Sequence, residues 1–347
     1  MSKTTMANPA DLGFRMPAEW ETHERCWMMW PSRENFWDDI ASTRACYASV
    51  ARAIAEFEPV VMVVPIEQRD EAARLLGGRV ELMEAPIDDS WARDAGPNFL
   101  VNDKGELAGS KWRFNAWGEK YQPYHDDDAL GHLILKREGA RSFVSELVAE
   151  GGAVSVDGEG TVITTESCLL NTNRNPGWSR REIEGELCRT LGATKVIWLP
   201  GNDEEVETNG HTDGIAVFVR PGVVLIETSF DVKHPWYEIM QRNIAALRGQ
   251  KDAKGRQVDF VLIEDGHGCE LLSERYCTSY INSYMANGAV IMPKYGLATD
   301  ERAKAVFQKL FPERTIVQVE IDAIAVGGGG IHCITQQQPS TTRPAQS

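Results

Sequence analysis

Hydrophobic and polar positions along the chain follow a pattern that recurs. A stretch of period-two alternation turns back on itself, a stretch of helical period follows, and a short apolar run closes the unit. In the clearest copy a hairpin spans Ala153–Thr165 and turns at Asp157-Gly158. The pattern then predicts a helix over Ser179–Leu191, with Ser179 as N-cap and Gly192 as stop, and a buried strand at Lys195–Leu199. The next copy turns at Pro221-Gly222 between Ile215–Val219 and Val223–Thr228. Its helix is placed at Trp236–Leu247 and its strand at Val258–Ile263. A third copy turns at Asn287-Gly288, a strong hairpin signal, and gives a helix over Asp300–Leu310 and a strand at Thr315–Val319.

Nearer the N-terminus the same order is noisier. Trp91–Leu100 and Glu106–Phe114 read as strands flanking an Asp103-Lys104-Gly105 turn, followed by a helix over Asp127–Lys136. Before them Ser42–Phe57 reads as a helix and Pro59–Pro65 as a strand. Helix starts recur at roughly 55–65 residues, a spacing that suits a radial or stacked repeat, and five units fit the length. Pattern alone leaves a second architecture open, an ordinary α/β domain in which strands and helices alternate by default. No low-complexity linker divides the chain, so residues 12–338 are expected to form a single domain. The polar ends, 1–11 and 339–347, are expected to fray.

Composition narrows the function classes. Hydrophobic residues at 42% and charged residues at 25% of 347 are ordinary for a globular core. The 36 basic residues against 51 acidic ones leave a formal charge of −15, which argues against a nucleic-acid partner because phosphates need a basic face. The acidity serves solubility, or draws in a cationic substrate. No apolar run approaches the ~20 residues that span a bilayer, and Met1–Met16 lacks the apolar block of a secretory signal. Seven cysteines, an odd number with no Cys-x-x-Cys pair, read as reduced thiols. The expected location is cytoplasmic, with no membrane partner.

Four segments carry candidate chemistry. Four glycines, Gly327 to Gly330, precede Ile331-His332-Cys333. Such a run marks close backbone approach or a special turn. Cys333 is either a nucleophile there or a buried structural thiol. Since an ordinary thiol near pKa ~8.5 is mostly protonated at neutral pH, a nucleophile needs nearby positive charge, which a bound guanidinium could supply. Gly210-His211-Thr212-Asp213-Gly214 opens a hairpin, with His211 and Asp213 on one strand face, as an acid/base pair or as two metal ligands. A metal would need further partners, and no His-Glu-x-x-His or paired Cys-x-x-Cys is present. The charged cluster from Asp88 through Trp91, Arg93 and Asp94 to Gly96-Pro97 is either a solvated loop or a fixed site, and Glu150-Gly151-Gly152 opens another hairpin. Asp94, Glu150 and His211/Asp213 thus stand at successive hairpin entrances, and Cys333 follows the last unit. Around a common axis they would meet, and carboxylates that grip guanidinium nitrogens beside a thiolate suit a planar cation.

These residues resemble the agmatine deiminases, members of the guanidine-modifying superfamily that also holds arginine deiminases, protein-arginine deiminases and amidinotransferases. The resemblance runs through Met16-Pro17-Ala18-Glu19-Trp20-Glu21, Cys26-Trp27, Trp30-Pro31 and Trp91-Ala92-Arg93-Asp94-Ala95-Gly96-Pro97. It continues through Phe114-Asn115-Ala116-Trp117, Glu150-Gly151-Gly152, Asn171-Thr172-Asn173-Arg174-Asn175-Pro176, Gly210-His211-Thr212-Asp213 and Ile331-His332-Cys333-Ile334-Thr335-Gln336-Gln337. It implies an α/β fold, a five-bladed α/β propeller (pentein) of repeated ββαβ units, and a homodimer. It also implies Cys333 as nucleophile and His211 as general acid/base. Asp94 and Asp213 would hold the guanidinium, and Glu150 would contact it and orient His211. Trp91, Trp117 and Asp88 are expected to line the substrate site. The implied reaction turns agmatine into N-carbamoylputrescine and ammonia through a covalent Cys333 thiouronium, without metal or organic cofactor.

The sequence departs from the usual family pattern at Asn209, Gly214 and Gly330, in the loop Gly118–Asp126 and between Asp265 and Cys277. These departures leave the reaction class firmer than the substrate. Arginine or a peptidyl-arginine remains an alternative, the former calling for a basic residue such as Arg93 or Arg174 to meet its α-carboxylate. A non-catalytic binding module on the same fold is the remaining alternative, opposed by the retained Cys333, His211 and three carboxylates.

Overall fold

In a computed structural model the chain is described over residues 8–268 and 275–341. It begins with β1 (His23–Met29), α1 (Ile40–Ile54), β2 (Val60–Val64), α2 (Arg69–Leu76) and β3 (Val80–Glu84). Four units of one plan follow. The first is β4 (Asn98–Val101), β5 (Leu107–Arg113), α3 (His125–Arg137) and β6 (Arg141–Val148). The second is β7 (Val154–Val156), β8 (Thr161–Thr165), α4 (Arg180–Leu191) and β9 (Lys195–Leu199). The third is β10 (Ala216–Arg220), β11 (Val223–Thr228), α5 (Tyr237–Leu247) and β12 (Asp259–Glu264). The fourth is β13 (Tyr284–Ala286), β14 (Ala289–Lys294), α6 (Thr299–Leu310) and β15 (Thr315–Glu320), after which the chain ends its described part in β16 (Thr335–Pro339).

Each of these four units makes its own three-stranded sheet: an antiparallel hairpin, then a helix that returns the chain to a parallel third strand. The long crossover helix is what a parallel pairing requires. The remaining sheet, β16-β1-β2-β3, is built from both ends of the chain. β16 runs antiparallel to β1, with Cys26 opposite Gln337 and Trp27 opposite Gln336, and the Trp27 indole donates to Gln338 Oε1 at 2.8 Å. A fifth hairpin is thereby made from two segments more than 300 residues apart in sequence. Neighbouring units touch through their first strands, β16 against β4 and β7 against β10.

Local sequence explains the element ends. Ser179 accepts from Glu182 N while Glu182 reaches back to Ser179 N, a capping box, and Gly192 closes α4 at φ 67°. Asp39 accepts from Ser42 N at 3.1 Å at the head of α1. Trp27, Trp30, Tyr47 and Phe307 are wholly buried beneath these elements.

One expectation needs correction. Trp91–Leu100 is not one strand: Ala92–Ala95 form a single helical turn, its amides accepted by Trp91 and Ala92 carbonyls, and β4 begins only after Gly96-Pro97. The proline lacks an N–H and ends the turn. Residues 1–7 and 342–347 lie outside the described residues, as do 269–274 of the Asp265–Cys277 stretch.

Candidate functional site

Asp94, Glu150, His211, Asp213 and Cys333 each sit just ahead of the first strand of a unit, and the fold brings all five together. All five are buried. Their meeting point is Gly152, where a Cβ would lie 2.6 Å from His211 Nδ1, 2.9 Å from Asp213 Oδ2 and 3.0 Å from Asp94 Oδ1. The glycine run before Cys333 has the same cause. A Cβ on Gly329 would strike the Trp91 ring at 2.3 Å, and one on Gly330 would meet Asn282 Oδ1 at 2.6 Å.

Glu150 is held on two sides, by Arg174 Nε at 2.7 Å and by His211 Nε2 at 3.3 Å. Burial would raise its pKa, but Arg174 and His211 win and bring it down to about 2. Among the described residues His211 Nδ1 makes no hydrogen bond, and it lies 3.9 Å from Asp94 Oδ1. Burial would lower this imidazole, yet Asp94 and Glu150 hold it well above the ordinary histidine value, so it is an imidazolium at neutral pH. Asp94 accepts from the Trp117 indole at 2.9 Å and from Gly152 N at 3.0 Å. Its pKa is raised by burial, against the pull of His211.

Cys333 Sγ lies 3.5 Å from Asp213 Oδ2 and 3.1 Å from Asn282 Nδ2, which donates to it. Burial and the carboxylates Asp213 and Asp94 hold the thiol well above its ordinary pKa, so the sulfur is protonated at rest. Asp213 stays ionised, since His332 Nδ1 donates to it at 2.8 Å and outweighs burial. His332 in turn meets Glu19 Oε1 through Nε2 at 2.9 Å. Glu19, 3.6 Å from Arg93, is drawn down to about 2 by His332 and Arg93 despite burial. The buried centre thus pairs four carboxylates (Asp94, Glu150, Asp213, Glu19) with four cations (Arg93, Arg174, His211, His332) around a neutral thiol.

From Cys333 a narrow aromatic slot runs outward between Trp91, Trp117, Phe36 and Tyr121 and reaches Glu207. Trp91 and Trp117 stand edge to face at 6.3 Å between centroids, and Tyr121 donates to Glu207 Oε2 at 2.5 Å. The slot's lining includes no basic side chain among the described residues. Asp88, expected in this lining, lies elsewhere: its carboxylate accepts from Asp126 N at 2.8 Å at the head of α3. Arg174 is likewise held by Glu150 at 2.7 Å, and Arg93 stands 3.6 Å from Glu19.

Sequence reasoning passed over Asn282, Glu19, His332 and Glu207. Asn282 stands just before β13 as Cys333 stands just before β16, so the repeat itself pointed to it. Among the departures from the family pattern, Asn209 occupies left-handed backbone at φ 64° and accepts from Arg174 and Asn173. Gly330 leaves the room that Asn282 fills.

Two groups offer metal-type ligands, Glu150/Cys168/His211 and His234/Asp265/His267. In the first, Glu150 already holds the Arg174 guanidinium, a resident cation. In the second, His234 Nδ1 accepts the Trp236 amide, which leaves the proton on Nε2 facing Asp265 at 3.0 Å and no free lone pair for a metal.

Residues 15–339 match the sequence pattern of the Porphyromonas-type peptidyl-arginine deiminase family. The agmatine deiminase of Pseudomonas aeruginosa strain LESB58 is 42% identical over 365 residues, covering 98% of this chain and 99% of that protein. That of Ectopseudomonas mendocina is 41% identical over 362 residues, covering 97% and 98%. The solved agmatine deiminase of Enterococcus faecalis superposes with a TM-score of 0.94 at 36% identity, over 99% of this chain and all of the other, a shared mixed α/β fold. No helix among the described residues is long and apolar enough to cross a membrane. With a family match over most of its length and relatives above 40% identity end to end, the chain belongs to the Porphyromonas-type peptidyl-arginine deiminase family, in which agmatine deiminases are its near relatives.

Proposed function

We propose that the protein hydrolyses agmatine to N-carbamoylputrescine and ammonia with Cys333 as nucleophile. The observation that carries this reading is the convergence of Asp94, Asp213, Glu150 and His211 on a protonated thiol at the end of an aromatic slot. Asp94 and Asp213 present carboxylate oxygens for the guanidinium nitrogens, and an arriving cation between them lets the thiol ionise. The exchange is charge-neutral: one guanidinium enters and one thiol proton leaves, so the four-against-four balance of the buried centre is kept.

The thiolate then attacks the guanidinium carbon, and the C–N bond breaks with its electron pair going to nitrogen. His211, already an imidazolium, gives the proton that lets ammonia leave. The same imidazole, now neutral and held by Glu150, takes a proton from the water that hydrolyses the thiouronium and frees Cys333. Asn282 steadies the sulfur, and the Glu19–His332 pair holds Asp213 in its charged form.

Agmatine is favoured over free arginine by the slot. A butylammonium chain would lie along the slot walled by Trp91 and Trp117, with its ammonium directed at Glu207. An α-carboxylate there would meet the Glu207 carboxylate, although Arg275 stands 3.9 Å from that same carboxylate. The wider parts of the reading are that the five sheets form the blades of a five-bladed α/β propeller, that residues 12–338 form its single domain, and that the protein is a cytoplasmic homodimer. The deciding experiment is ammonia release from agmatine, arginine and a peptidyl-arginine side by side, with Cys333→Ser. Agmatine is expected to give the highest kcat/KM, and the serine variant none. Faster turnover of arginine or peptidyl-arginine would overturn the substrate, and an active serine variant the mechanism.

A further inference from the structure

Two spaces meet at Cys333. One is the aromatic slot. The other, a cavity of about 210 Å³, is lined by His211, Asp213 and Asn282 near the sulfur and by Ser279, Met240 and Glu227 farther out. It reaches the surface beside Glu204 and Val206, both exposed. The two share Thr208, Gly328 and Cys333 and otherwise have different walls. The cavity could hold several waters at ~30 Å³ each. Glu227 is 9% exposed, and its Oε2 has no hydrogen-bond partner among the described residues. Asp265 behind it likewise has Oδ1 unmet. A buried carboxyl on the wall of a cavity, without a partner, is costly unless something occupies the space.

The reaction supplies an occupant. Once the thiouronium has formed, the alkyl chain plugs the slot, yet ammonia must leave and water must reach the same carbon. Resting on the proposed function, we infer that this second cavity is the route by which ammonia leaves and hydrolytic water arrives, with Glu227 as the group that receives the ammonia. Burial and the neighbouring Asp265 keep the Glu227 carboxyl in its neutral form. It can therefore give its proton to NH3, leaving an ammonium–carboxylate pair, and it regains a proton from solvent when ammonium departs. His211 and Asp213 border the cavity, so water waiting there stands beside the base that activates it.

Filling the cavity and changing its acid test this separately. With Met240→Trp, kcat for agmatine is expected to fall at least tenfold while KM changes little. Acid-quenched enzyme should then carry the Cys333 adduct, of mass agmatine less ammonia, on most molecules. Unchanged kcat, or a fall without adduct accumulation, overturns the route. Glu227→Gln keeps the shape. Ammonium chloride should inhibit the wild type non-competitively against agmatine, and at least tenfold more weakly in Glu227→Gln; no inhibition, or equal inhibition in both, overturns the role of Glu227. Wild type run alongside separates the two readings. No turnover there rejects the function and this route together, whereas turnover with unaffected variants rejects the route alone.

Discussion

Replacing Asp213 by Asn should make Cys333 more reactive toward a neutral alkylating agent while abolishing turnover. The carboxylate stands 3.5 Å from the sulfur, and both groups are buried. A unit charge at about 4 Å in an effective dielectric of 20 interacts by roughly 4 kcal/mol, and each 1.36 kcal/mol is a tenfold change in population. Removing that charge should therefore raise the thiolate fraction at fixed pH by about two to three powers of ten. His332 adds to the effect, since it loses its anionic partner on one side and its remaining charge favours a nearby thiolate. Substrate turnover should fall in the same variant, because one of the two carboxylates facing the guanidinium is gone. The assay is iodoacetamide alkylation of Cys333, followed by peptide mass across a pH series in both proteins. The wild-type thiol should ionise only above the ordinary thiol range, and the variant at distinctly lower pH. Equal or higher titration in the variant would refute the claim that neighbouring carboxylates hold the thiol protonated and that substrate charge releases it.

Gly152→Ala should cost at least a hundredfold in kcat/KM at nearly unchanged folding, because its Cβ would press on His211, Asp213 and Asp94 together; wild-type activity would contradict the shared meeting point. Glu207→Gln should raise KM for agmatine about tenfold, and leave an alkylguanidine without the terminal amine unaffected, as kinetics with both substrates would read. Acid should unfold the protein in a window set by Glu19 and Glu150. Both fall to about 2 in the fold, below the ordinary carboxylate value. Depressed carboxylates add stability that is present above about 4.3 and is lost as pH falls toward 2. Urea unfolding between pH 5 and 2.5 should show that loss, and Glu150→Gln should flatten it.

Sequence pattern read the four internal units closely because their hairpins, caps and helices are local. Lys195–Leu199 is the strand predicted, and the Ser179 cap and Gly192 stop hold their predicted places. The sheet formed by β16 and β1 was illegible for the opposite reason: its pairing joins the two ends of the chain, and no local period reports a partner 311 residues away. β3, reached through α2, extends that same sheet at its edge, in parallel with β2 and outside the repeat. Among the site residues, those with chemistry at a hairpin entrance (Asp94, Glu150, His211, Asp213, Cys333) were legible from position. Trp91 and Trp117 line the slot beside Cys333. Asp88 lies outside that lining, at the head of α3, where an acid in a charged loop looks alike whether it faces a ligand or the first turn of a helix. Glu19 and His332 form a chain of hydrogen bonds to Asp213, a contact only the three-dimensional structure reveals.

The central claim is that Cys333 forms a covalent bond to the guanidinium carbon. Intact-mass and peptide analysis of enzyme acid-quenched during agmatine turnover tests it most directly. The account predicts an adduct of agmatine less ammonia on the peptide bearing Cys333, absent from Cys333→Ser. Steady ammonia release with no adduct on that cysteine, and a serine variant as active as wild type, would contradict it.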